Sequence, residues 1–93
     1  MERQGRLEAT IQGRVQGVSF RYYTRRRARE LDLAGYVRNE RDGTVSVVAE
    51  GARSQLEELL SFLRAGPRAA FVTEVDVRWL AATGRFEGFE VRY

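Results

Sequence analysis

The chain has 93 residues, 43% of them apolar and 31% charged, with a single proline and a formal net charge of +3. That length supports one domain over residues 1–93 with one hydrophobic core, and the composition excludes disordered and fibrous classes. Cysteine and histidine are both absent, which excludes disulfides, thiolate nucleophiles, sulfur-based zinc sites and the usual general base at neutral pH.

The chain starts with Met1 to Leu7, where Glu2, Arg3 and Arg6 stand in place of the apolar core of a signal peptide. No later run approaches the roughly 20 apolar residues that cross a bilayer, so a cytoplasmic protein without a membrane partner is expected. Residues 7 to 13 alternate Leu7, Ala9 and Ile11 with Glu8, Thr10 and Gln12, the period of two that predicts a half-buried strand. After a stretch containing Gly13 and Gly17, the residues Phe20, Thr24, Ala28 and Leu31 recur at helical spacing and predict a helix from about residue 21 to Leu33. Gly35 follows as the expected C-terminal stop.

Tyr36 to Glu40 and Thr44 to Glu50 are rich in strand formers and flank Asp42-Gly43, a tight-hairpin signal because both residues tolerate positive φ. Leu56, Leu59, Leu60 and Leu63 then line one face of a second helix, with Ser54 as the expected N-cap and Gly66-Pro67 as the breaker. Val75, Val77 and Trp79 alternate in a fourth strand, and Phe89, Val91 and Tyr93 in a fifth. The order strand, helix, strand, strand, helix, strand predicts an α+β class. Its ferredoxin-like βαββαβ sandwich lays two helices on one face of an antiparallel sheet, here with the last strand as an added C-terminal edge. Many unrelated functions share that fold, so the site has to decide among them.

The candidate site is the segment from Gly13 to Arg21. Two glycines allow the backbone to curl so that several NH groups face one point, and a helix start leaves further NH groups without partners. Such a place seats an oxyanion. Arg21 sharpens the reading: a cation in the first helical turn opposes the helix dipole by about 0.3–1 kcal/mol unless an anion is bound. Arg14, Arg25, Arg26, Arg27 and Arg29 add to the repulsion, although for the last four plain solvent exposure accounts for their presence. Asn39 is the only asparagine, at the end of the second strand. Its amide suits a water-positioning role and equally suits an ordinary turn.

These residues resemble a known family. Gly13-Arg14-Val15-Gln16-Gly17-Val18 with Phe20-Arg21, followed by Gly35-Tyr36-Val37-Arg38-Asn39, Asp42-Gly43-Thr44-Val45 and Glu50-Gly51, is similar to the two signature segments of the acylphosphatases. The likeness runs from about Leu7 to the closing Phe89 to Tyr93, with Tyr36 where that family often has tryptophan and Asp32 where glycine is common. It implies hydrolysis of acyl phosphates. The phosphate would be bound by Arg21 and by the backbone NH groups of Val15, Gln16, Gly17, Val18, Ser19 and Phe20, with Asn39 orienting the nucleophilic water.

The chemistry agrees with the missing residue types. A carboxylate leaving group has a conjugate acid near the range of a free Glu, about 4.3, and requires no general acid. The resemblance implies that a substrate phosphate oxygen takes the proton of the water, so neither metal nor cofactor is expected. The expected partner is a small-molecule acyl phosphate, acting on a monomer. RNA-recognition modules share the strand and helix order, but the third strand, Thr44 to Glu50, lacks the aromatics that stack on bases, and no nucleic-acid partner is expected. An interaction domain that keeps the fold without turnover is the remaining reading.

Overall fold

In the computed structural model, which describes residues 2–93, the elements run β1 (Gln4–Arg14), α1 (Phe20–Glu30), β2 (Ala34–Asn39), β3 (Val45–Ala52), α2 (Arg53–Ala65), β4 (Phe71–Ala81) and β5 (Phe89–Arg92). The five strands form one sheet in the order β4-β1-β3-β2-β5. The first four pair antiparallel, as the ferredoxin-like pattern predicts. β5 differs, joining the β2 edge in parallel with Val37 opposite Val91.

Alternation decides the faces. Leu7, Ala9 and Ile11 of β1 and Val45, Val47 and Ala49 of β3 are buried on the side that both helices cover. Helix α1 contributes Phe20, Thr24 and Ala28, and α2 contributes Leu56, Leu59, Leu60 and Leu63. Each fully buried leucine stabilises by about 1.5–3 kcal/mol. The open face carries Arg6, Glu8, Ser46 and Glu50, which face solvent or the loop between β4 and β5. No helix among the described residues is long and apolar enough to cross a membrane.

Three local expectations are corrected. Gly35 does not stop α1: Asp32 takes the left-handed conformation there, with φ 55°, and Leu33 NH donates to Ala28 O at 2.9 Å. Glycine is free of Cβ strain at such a position, which explains why a glycine there is common in the family that the sequence resembles. Gly35 lies inside β2 at φ 145°, where a Cβ would collide with the Val48 carbonyl of β3.

Ser54 is not the N-cap of α2. That position is Ala52, with no side-chain cap, and the Glu2 carboxylate accepts from Ser54 NH at 2.7 Å and Ser54 Oγ at 2.8 Å. An acid borrowed from the start of the chain thus satisfies the helix start. In the hairpin, Gly43 alone takes positive φ, at 93°, while Asp42 Oδ1 accepts from Thr44 NH and Oγ1 at 3.0 and 2.7 Å. Glu40 NH donates to Thr44 O at 2.8 Å, closing a three-residue loop in place of a two-residue one.

Candidate active site

Strand direction assembles the site. β1 and β2 both pair antiparallel with β3, and β5 runs parallel to β2, so β1, β2 and β5 point the same way and end at one margin of the sheet. Ile11 and Asn39 flank Val45 from opposite sides, which sets the end of β2 level with the approach to the loop. The segment after β1, the amide of Asn39 and the C-terminal Tyr93 therefore meet although they are far apart in sequence.

A bulge starts the loop. The β1–β4 register shifts between Gln12 and Gly13, and Gly13 sits at φ 127° where a Cβ would strike the Phe71 carbonyl. Only glycine permits that approach. Val15 and Phe20 are buried at 1% and 2% exposure, so the loop is pinned at both ends by apolar side chains while its middle stays at the surface. Ser19 takes a left-handed conformation, φ 61° and ψ 25°, and leads into α1 without a side-chain cap. Such strain persists where the surroundings enforce it and clusters at functional sites. Among the described residues, the backbone NH groups of Val15, Gln16, Gly17, Val18, Ser19 and Phe20 donate to no backbone carbonyl outside the regular elements.

A cavity of about 390 Å³ lies at this junction. Arg21 and Asn39 both line it, together with Gly17 and Ser19 of the loop, Tyr22 and Arg25 of α1, and Val91 and Tyr93 at the chain end. Among the described residues, no Asp or Glu side chain lines it. Of the loop residues expected from the sequence, Val15 and Phe20 also contribute to the wall, whereas Gln16 and Val18 do not. The Arg21 guanidinium stacks on the Tyr93 ring, 4.8 Å from its centroid. A larger depression of about 720 Å³, between the end of α1 and the β4–β5 loop, contains none of the candidate site residues.

Gln16 does something that sequence spacing does not reveal. Its Nε2 donates to Glu40 O at 2.8 Å and to Thr44 O at 2.9 Å, so one side chain ties the loop to the hairpin that ends β2. Motif recognition assigned only its backbone NH, because a side chain reaching the base of a hairpin leaves no periodic signal.

The hairpin acids are engaged locally. Arg38 donates to Glu40 at 2.9 Å, and that hydrogen bond holds the Glu40 carboxyl below the usual carboxylate range. Thr44 does the same for Asp42, mainly through its hydroxyl. Both acids therefore stay ionised at neutral pH and are poorly suited to proton donation. Among the described residues, no three His, Cys, Asp or Glu side chains converge as metal ligands.

Fold and junction together define a ferredoxin-like α+β domain with a positively lined cavity at the start of its first helix. Comparison with known proteins makes the assignment more specific. The family model described as Acylphosphatase matches residues 7–91. An acylphosphatase of Salinibacter ruber is 56% identical, over 94% of this chain and 92% of its own length. One of Thermobifida fusca is 51% identical, over 94% and 96% respectively. The crystal structure of an acylphosphatase from Bacillus subtilis superposes with a TM-score of 0.92 at 31% identity, covering 96% of this chain and 99% of the other. The chain belongs to the acylphosphatase family.

Proposed function

We propose that this acylphosphatase splits the carboxyl-phosphate bond of acyl phosphates in the cavity between Arg21, the 15–20 loop and Asn39. The observation that carries the reading is the convergence of Arg21 and Asn39, from separate elements, on one cavity lined by no Asp or Glu side chain among the described residues. The phosphoryl group sits against the free NH groups of Val15 to Phe20, with the planar guanidinium of Arg21 on two of its oxygens. Asn39 holds the attacking water through its amide.

Water oxygen bonds to phosphorus, the bond from phosphorus to the acyl oxygen breaks, and the water proton passes to a phosphoryl oxygen. The products are carboxylate and dihydrogen phosphate. The carboxylate departs as a stable anion, so the protein contributes position and charge rather than acid–base groups. No metal takes part in this scheme.

Benzoyl phosphate hydrolysis in the presence of EDTA tests it. The wild-type rate is expected to persist, while Arg21→Ala and Asn39→Ala each lose roughly a hundred- to thousandfold in turnover, about 2.7–4 kcal/mol. Arg21→Lys is expected to be badly impaired despite its retained charge, because an ammonium lacks the fork. Folded Arg21→Ala or Asn39→Ala protein working near the wild-type rate would overturn the assignment.

A further inference from the structure

The arginines that follow Arg21 on α1 look alike in sequence and differ in the structure. Arg26 pairs with Glu30 at 3.8 Å, and Arg27 pairs with Glu30 at 3.2 Å and Glu58 at 3.4 Å. Arg29 donates through Nε to Phe89 O at 3.1 Å. Arg25 has no carboxylate partner among the described residues; its guanidinium lies 5.8 Å from the Tyr22 ring centroid, and the residue lines the same cavity as Arg21. The cavity thus holds two guanidinium groups and, among the described residues, no Asp or Glu side chain.

A phosphoryl group seated at the loop and Arg21 leaves the second cation to the other end of the substrate. Residues four apart share a helix face, and a rise of 1.5 Å per residue sets Arg25 about 6 Å further along the axis than Arg21. That offset is comparable with the distance from phosphorus to a carboxylate two methylenes beyond the reacting carbonyl. An uncompensated cation beside another cation is unfavourable until anionic charge arrives, and an acyl phosphate with a charged tail supplies it at both ends.

Resting on the reading of the phosphate seat above, we propose that Arg25 is a specificity-determining residue that selects acyl phosphates whose acyl chain carries a second negative charge. Tyr22, 49% exposed and stacked with Arg25, forms the wall beside that subsite.

Succinyl phosphate and butyryl phosphate test this as a pair, since they share a four-carbon chain and differ in the terminal carboxylate. The wild-type ratio of kcat/KM, succinyl over butyryl, is expected to favour succinyl by about fivefold, the scale of one partly exposed ion pair of about 1 kcal/mol. In Arg25→Gln the ratio is expected to fall to about one. Arg26→Gln removes the same unit of charge from the same helix and is expected to keep the wild-type ratio. An Arg25→Gln ratio equal to wild type overturns the proposal, whatever happens to the absolute rates, and so does an equal fall in Arg26→Gln, which would show a diffuse field. Failure of the phosphate seat itself is read separately, from Arg21→Ala retaining butyryl phosphate hydrolysis.

Discussion

Replacing Glu50 is expected to loosen the protein from the face opposite the helices. Its side chain is 6% exposed. One oxygen accepts from Arg6 Nη1 at 2.9 Å and Thr83 Oγ1 at 2.8 Å, the other from Thr83 NH and Gly84 NH at 2.9 Å each. These bonds fasten the β4–β5 loop, which in turn delivers β5 to the β2 edge and Tyr93 to the cavity. Glu50→Gln keeps the shape but turns an NH₂ group toward one pair of donors. Hydrogen bonds to a charged group are worth about 1.5–3 kcal/mol each and truncating a buried ionic partner costs about 3–5, so a loss near 3 kcal/mol is expected. For a domain of this size that is a fall in Tm of roughly 12 °C or more.

The pH dependence has a definite sign. Burial alone would raise the Glu50 pKa, but donation from Arg6, Gly84 and Thr83 outweighs it and holds the group below its usual range. A depressed folded-state pKa gives stability that is present above the unfolded value, about 4.3, and lost as pH falls through the folded one. The gap between wild type and Glu50→Gln is therefore expected to be full at pH 7 and to narrow below about pH 4. Thermal unfolding followed by circular dichroism across that range measures it. A gap under about 2 °C at pH 7, or one that does not shrink in acid, would refute the reasoning.

Three further substitutions probe the loop and its surroundings. Gln16→Leu removes two bonds to carbonyls that each keep another backbone donor, so urea unfolding is expected to show a loss of only about 1–2 kcal/mol. In the same variant kcat is expected to fall more than the affinity for inorganic phosphate, since the tie between the loop and Asn39 is cut while the NH groups remain. Gly13→Ala places a Cβ against the Phe71 carbonyl and within 2.9 Å of Thr73 N at a backbone angle that side chains avoid; a stability loss of about 2 kcal/mol or more is expected in urea. Asp32→Gly relieves a left-handed residue at φ 55° while adding freedom to the unfolded chain, and a net gain of about 0.5 kcal/mol is expected as a small rise in Tm.

Period-two and period-3.6 patterns in the sequence identified both helices and the first, fourth and fifth strands, because burial on one face is a local property of each segment, and strand-forming composition around the Asp42-Gly43 turn identified the other two. Glycine spacing, a cation at a helix start and a unique asparagine make the Gly13 to Arg21 segment and Asn39 stand out along the chain, while the roles expected of them come from the family resemblance. Other features depended on partners distant in sequence. Alternation in Phe89 to Tyr93 predicts a strand but not its direction, and the parallel pairing on β2 is what brings Tyr93 level with Asn39. Gly35 reads as a helix stop until the proximity of Val48 shows why glycine is required there. Ser54 reads as a cap until Glu2 is found against it. Arg25, Arg26, Arg27 and Arg29 are alike in the chain, and only the positions of Glu30, Glu58 and Phe89 single out Arg25. Sequence reports what a residue prefers among its neighbours along the chain; pairing, close approach and shared cavities are set by which segments the fold brings together.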